Sequence, residues 1–397
     1  MLRRLSLQTG GESHGRGMIA VLAGLPAGLP LDVAAVDAML RRRQGGFGRS
    51  ARQRLEHDHV DVLAGVWRGK TSGAPLVLAV WNRDDSLATK PSFSVPRPGH
   101  GDLAGAQKFG NRDMRPVLER ASARETAARV AAGGVAASAL GLLGVQVFAH
   151  VVALGGVDCA PASMTAASAA SRRRRDRSDF YALGRGADAR LRRAVLAARR
   201  AGDTLGGRFE VLGFGVPPGL GSLDGVGSRL DARLGAALLS IPGVKAVEIG
   251  DGVAAASRRG SEVHDALRPP GPRGPRRASN RAGGVEAGLS NGQPIVARAF
   301  MKPIPTLARP LNSWDFARGR AEPAFYERAD VTSVPAASVV GEAMLALVLL
   351  DALLEKTGGD TLVEVRRALA GQRRTVSRLF GARRAAGSAQ TADRPRS

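Results

Sequence analysis

The sequence predicts an α+β fold. Segments with helical periodicity are mixed with Val-rich runs bounded by Gly or Pro. There is no regular strand-helix alternation and no G-x-G-x-x-G opening, so a doubly wound parallel sheet is disfavoured. Asp32 precedes Val33, Val36, Met39 and Leu40 at i, i+3, i+6 and i+7, and arginines fill the last turn, which predicts a helix of about three turns. Residues 122–144 form a longer Ala-rich helix, weakened at Gly133-Gly134 and stopped at Gly144. Residues 335–359 open with Pro335 and close with Gly358-Gly359, and their all-round apolarity predicts a buried central helix. Strands are expected at 18–24, 60–67, 75–81, 145–154, 208–216, 244–252 and 294–301.

With 397 residues, 44% of them hydrophobic, the chain can bury a large core. A single cysteine, Cys159, excludes a disulfide framework and any multi-cysteine zinc site, and points to a reducing compartment. The basic N-terminus lacks the apolar run of a signal peptide, so the cytoplasm is the expected location. The longest apolar stretch, 343–350, falls well short of the ~20 residues that span a bilayer. Residues 1–380 are expected to form one catalytic domain, followed by an Arg-rich, disordered tail at 381–397.

The formal net charge of +23 raises the question of nucleic acid. The excess is localised: 172–177 contributes +4, 268–281 contributes +5 and 366–397 contributes +8. The first two read as loops and the third as a tail. Aromatics make up only 4% and are not interleaved with these runs, so stacking platforms are missing and nucleic acid is disfavoured.

Gly11-Glu12-Ser13-His14-Gly15 spells G-x-S-x-G, the turn that presents a hydrolase serine. Such a turn needs a helix after it and an oxyanion-hole strand well before it. Only ten residues precede Gly11, and a strand-like run follows, so Ser13 is not read as a nucleophile. What remains is a glycine turn whose amides, hydroxyl and imidazole suit an anionic ligand. Other Gly-rich stretches carry similar groups. Arg97, His100 and Asp102 surround a Pro-Gly turn, and Arg120, Ser122 and Arg124 stand at a helix start. Arg43 and Arg49 flank a Gly-Gly hinge, Lys302 and Thr306 lie among prolines, and Arg328 and Asp330 precede the central helix. His57, His59, His150 and His264 read as packing residues, and no metal-ligand spacing stands out. Spacing alone supports a multi-loop site for a phosphate-bearing small molecule and names no reaction.

At these residues the sequence resembles the chorismate synthase family. The matching stretches are TGGESHGRG, LRRRQGGFGRSAR, RPGHGD, LERASARETAARVAAG, AGDTLGGRFEV, GVPPGLGSLDG, SNRAGGVEAGLSNGQPI, MKPIPTL and ERADVTSVPAA, in family order from about Leu2 to about Thr375. The resemblance implies a single large domain with helices sandwiched between antiparallel sheets, internal pseudo-symmetry and a homotetramer. It implies anti-1,4-elimination of phosphate from 5-enolpyruvylshikimate 3-phosphate to give chorismate, the last step of the shikimate pathway to aromatic amino acids. Reduced FMN is required without net redox change, and NADPH or an external flavin reductase is the source of electrons. By motif position, His14, His100 and Asp330 are the catalytic residues. FMN contacts fall on Arg120, Ala121, Ser122, Glu262, Val263, Ala287, Lys302, Pro303, Ile304, Pro305, Thr306 and Arg328. Arg43 and Arg49 match positions for NADP or substrate, and Ser13 and Arg124 join them in binding substrate. Ala287 and Ala329 depart from the family pattern, Ala287 by standing where a Gly-Gly pair is usual.

Overall fold

The computed structural model describes residues 2–49, 57–159, 167–271, 274–327 and 330–381. Strands β1 (Ser6–Gly10), β2 (Gly17–Ala23), β3 (Asp61–Ala64) and β4 (Leu76–Trp81) form an antiparallel sheet in the order β1-β2-β4-β3. Along β2, Met18, Ala20 and Leu22 are fully buried while their neighbours are half-buried, so one face lies on the core. Strands β5 (Gln146–Leu154), β6 (Val157–Asp158), β7 (Gly207–Phe214), β8 (Val244–Ile249) and β9 (Ile295–Met301) form a second antiparallel sheet, ordered β8-β9-β7-β5-β6.

The helices are α1 (Val33–Gln44), α2 (Asp102–Phe109), α3 (Arg115–Ala121), α4 (Thr126–Leu142), α5 (Ala169–Arg177), α6 (Ala187–Arg200) and α7 (Leu230–Leu239). Two short helices, Gly252–Ala256 and Gly260–Val263, a central helix, Val334–Thr357, and a C-terminal helix, Leu362–Phe380, follow. Helix α4 packs on β2 and β4, the central helix packs on β5 and β7, and the two helices pack along each other. The order is therefore sheet, helix, helix, sheet, as expected. The central helix is long and apolar enough to cross a membrane, but its whole apolar window is buried inside the protein. Sheet on one side and helices on the others leave it no polar face.

The predicted helix beginning at Asp32 is present, with the Asp32 carboxylate accepting from the Ala35 amide at 2.9 Å. The helix expected from 122 starts at Thr126, because Ser122 caps a short 3₁₀ turn over Ala123–Glu125 first. Gly133 is no weak point. A Cβ there would stand 2.3 Å from the Cβ of Ala343, so the missing side chain lets α4 and the central helix approach. Close packing offsets the ~1 kcal/mol helix cost of a glycine.

All three basic runs correct the sequence reading. Residues 172–177 lie in α5, capped by Ser168, with Arg175 buried against Phe148 and 3.2 Å from Glu342. A buried carboxylate and an aromatic face retain this arginine where a loop was expected. In 268–281 a hairpin pairs Leu267–Gly271 with Gly274–Arg277. The run from 366 enters the C-terminal helix, whose Thr361 and Glu364 form a capping box and whose Leu362, Val365 and Leu369 are buried. The remainder of the expected tail, from 382, lies outside the described residues. The expected strand at 60–67 breaks at Gly65, and its two halves pair in different sheets.

Candidate active site

A cleft of about 440 Å³ opens where the ends of α1, α3 and β9 meet the start of the central helix. Each wall is built by a short local device. The turn carrying Ser13 joins β1 to β2, so it is flanked by strands on both sides and the nucleophile-elbow context is missing. Ser13 lines the cleft and accepts a 3.1 Å hydrogen bond from the Ser122 hydroxyl.

The last turn of α1 delivers Arg43 to the cleft, and the Gly45-Gly46 bend lets the chain reverse to bring in Arg49. Glycine is demanded at position 45, where a Cβ would lie 2.3 Å from the Tyr181 hydroxyl, itself bonded to the Arg42 carbonyl at 2.7 Å. The Arg43 guanidinium donates to Asp58 at 2.6 Å and to Thr126 at 3.3 Å. Arg124 donates to the other oxygen of Asp58 at 2.6 Å and to Asn82 at 2.6 Å. Burial pushes the Asp58 carboxyl up, but Arg43 and Arg124 outweigh it and hold the group below the usual carboxylate range. Arg49 pairs with Asp330 at 2.8 Å. The buried Nε atoms of Arg43 and Arg49 have no hydrogen-bond partner among the described residues. Unspent donors in a buried site favour an incoming anion.

The opposite wall comes from the segment after β9. The Lys302 amide donates to Gly243 at 2.9 Å, and its ammonium donates to the Gly99 carbonyl. Thr204 fixes the Ile304 carbonyl at 2.7 Å, and Thr306 accepts from Arg97 at 3.1 Å. His100 closes this side. Its Nδ1 lies 2.6 Å from Asp102, whose other oxygen accepts from the Arg97 Nε at 2.9 Å. Burial pushes Asp102 up, yet the hydrogen bonds from His100 and Arg97 prevail and hold it far below the usual carboxylate range. Among the described lining residues, five guanidinium or ammonium groups (Arg43, Arg49, Arg97, Arg124, Lys302) face two carboxylates, Glu327 and Asp330. Apolar surface comes from Ile241, Met301, Ile304, Ala337 and Val340.

A family model for chorismate synthase matches residues 5–354. The chain belongs to the chorismate synthase family. Chorismate synthase of Saccharopolyspora erythraea is 46% identical over 387 residues, which cover 92% of this chain and 96% of that protein. Chorismate synthase of Acidothermus cellulolyticus is 48% identical over 388 residues, covering 93% and 97%. That of Desulforudis audaxviator is 48% identical over 395 residues, covering 96% and 98%. A crystal structure of chorismate synthase, 38% identical, matches 95% of this chain and all of its own with a TM-score of 0.79. Membership of the chorismate synthase family makes this chain an enzyme, a lyase, and the fold expected from the resemblance is the one observed.

The cleft gathers Ser13, Arg43, Arg49, His100, Ala121, Ser122, Arg124, Lys302, Pro303, Ile304, Pro305, Thr306 and Asp330. Other expected residues stand apart from its lining. His14 is buried behind the Ser13 turn, its Nδ1 2.9 Å from Glu119 and its Nε2 3.8 Å from Asp84. Arg120 is half-exposed and donates to the Thr9 carbonyl at 3.0 Å. Glu262 and Val263 lie in a short helix, Gly260–Val263, away from the cleft, and Ala287 is exposed in the turn between Val285–Glu286 and Leu289–Ser290. The φ of Ala287 is +51°, a left-handed conformation that costs an alanine about 1 kcal/mol relative to glycine. Arg328 and Ala329 lie outside the described residues.

The sequence reading missed Asp58 as the link between Arg43 and Arg124, and missed Glu119 as the partner of His14. Asp58 stands between His57 and His59, where the histidines draw attention as a metal-like pair. Glu119 directly precedes Arg120 in the Ser-Arg motif, and only the folded α3 shows that it points inward.

Proposed function

We propose that this enzyme eliminates phosphate from 5-enolpyruvylshikimate 3-phosphate to give chorismate, with reduced FMN held in the cleft. The observation that carries the reading is the convergence of Arg43, Arg49, Arg124 and Lys302 with His100 on one cavity. A substrate with two carboxylates and a phosphate loses its hydration there, and only fixed cations offset that loss. The residues present also suit a flat anionic cofactor. Met301, Ile304, Ala337 and Val340 offer apolar contact, while Ala121, Ser122 and Lys302 to Thr306 would hold its polar edges and phosphate. When bound, reduced flavin supplies electron density to the allylic system as phosphate departs and regains it as the ring proton is lost.

The chain's own groups then have distinct tasks. Arg43, Arg49 and Arg124 orient the carboxylates and phosphate, with Asp58 holding two of the three guanidinium groups in place. Ser13 and Ser122 offer hydroxyls beside them. His100, at the cleft wall, donates a hydrogen bond or proton to the leaving phosphate. Asp330, steered by Arg49, assists removal of the ring proton. His14, one layer behind, fixes the protonation environment of the cofactor edge. A homotetramer in the cytoplasm, reduced by NADPH or by a separate flavin reductase, completes the proposal.

The test is anaerobic: purified protein, dithionite-reduced FMN and 5-enolpyruvylshikimate 3-phosphate, with phosphate release and chorismate absorbance followed together. Equal appearance of both products, absent with oxidised FMN, is the expected result. Ligand binding without either product would make the chain a binding protein with the same cationic cage. Replacing dithionite by NADPH alone separates internal from external reduction.

A further inference from the structure

The geometry points to Asp102 as a positioning residue that fixes which nitrogen of His100 carries its proton and which way the ring faces. The inference rests on the proposed elimination only for the use made of His100. Its structural basis is independent of that reading.

Asp102 is the first residue of α2 and is 0% exposed. Among the described residues, the side chains that donate to it all come from the same turn. Its Oδ1 accepts from His100 Nδ1 at 2.6 Å and from an Arg97 terminal nitrogen at 3.0 Å. Its Oδ2 accepts from the Arg97 Nε at 2.9 Å and the Arg97 backbone amide at 3.1 Å. A carboxylate receiving Arg97 on both oxygens cannot swing, so the imidazole edge that meets Oδ1 is fixed as well.

A carboxylate accepts and does not donate, so the Nδ1 that faces it bears hydrogen. The hydrogen bond made by one ring nitrogen decides the state of the other. Nε2 is thereby left as the nitrogen that exchanges a proton. The charged groups around the ring are Asp102 and Arg97 from its own turn and Lys302 from the segment after β9, which holds the Gly99 carbonyl. One Arg97 terminal nitrogen lies against the ring, 3.1 Å from Nδ1 and 3.3 Å from Nε2, while Nδ1 makes its shorter contact, 2.6 Å, with Asp102. Asp102 is the anion that touches both Arg97 and the imidazole. Without it, Arg97 would face the imidazole uncompensated, and an Asn side-chain amide could donate to Nδ1 and reverse the tautomer.

The experiment uses the full-length protein labelled with ¹⁵N-histidine, with the His100 signals assigned by loss in His100→Ala. In wild type, Nδ1 is expected to carry the proton at pH about 7 and to keep it in the neutral ring. In Asp102→Asn the proton is expected to move to Nε2. Turnover should fall about 10²- to 10⁴-fold with KM changed less than about 3-fold, the scale seen when a histidine loses its orienting carboxylate. Asp102→Glu should restore part of the loss. A wild-type ring with the proton on Nε2 would overturn the assignment, as would an unchanged tautomer in Asp102→Asn. The spectra decide the matter without turnover, so an inactive wild-type protein would count against the proposed elimination and leave this inference standing. If Asp102→Asn does not fold, the wild-type spectrum alone still decides.

Discussion

The turns at His14 and His100 have the same ingredients, a histidine among glycines with a carboxylate on Nδ1, and they occupy different depths. His14 is 2% exposed and meets Glu119 across a long sequence separation, with Asp84 facing its other nitrogen. The His100 side chain is 15% exposed, meets Asp102 two residues away, and lines the cleft. A local partner within its own turn leaves the ring at the cleft wall. A distant partner ties the turn into the core, because Glu119 also binds the His14 amide at 2.9 Å. The pair shows how one motif chemistry serves contact in one place and support in another.

The largest expected effect is from His100→Ala, which should lower turnover about 10²- to 10⁴-fold while the thermal midpoint stays close to wild type. Wild-type turnover in the purified variant would end its role. His14→Ala should lose less activity, about 10- to 10²-fold, and should also unfold earlier. It leaves Glu119 buried without its main partner, a change worth about 1–3 kcal/mol. A larger activity loss at His14 than at His100, measured in the same chorismate assay, would invert the comparison.

The smallest effect is a change of slope in acid. Burial raises Glu119, but its hydrogen bond from His14 and the charges of His14 and Arg115 hold it below the usual value. A carboxyl depressed on folding contributes stability above its unfolded pKa of about 4.3, and that stability is lost as pH falls through the folded value. Glu119→Gln should therefore flatten the fall of denaturant stability below about pH 4.3. An unchanged acid limb would remove Glu119 from the support of this turn.

Much of the site was legible because its groups stand in short glycine- or proline-marked segments. Ser13, Arg43, Arg124, Lys302 and Asp330 could be selected without knowing how the chain folds. Asp58 and Glu119 could not, since each acts by meeting an arginine or a histidine far along the chain. The same limit hid the role of Gly133, which a propensity argument counts as a defect and Ala343 makes a contact surface.

By itself the sequence determined the α+β class, the Asp32-capped helix, the buried central helix and the cationic character of the site. Periodicity, caps and charge are local properties of neighbouring residues. Tertiary structure decided which of two similar histidines reaches the cleft, that Asp58 joins two arginines, and that the Arg-rich run at 172–177 becomes a helix with Arg175 inside. Those outcomes depend on burial and on partners brought together across the chain, where desolvation makes each charge choose a neighbour.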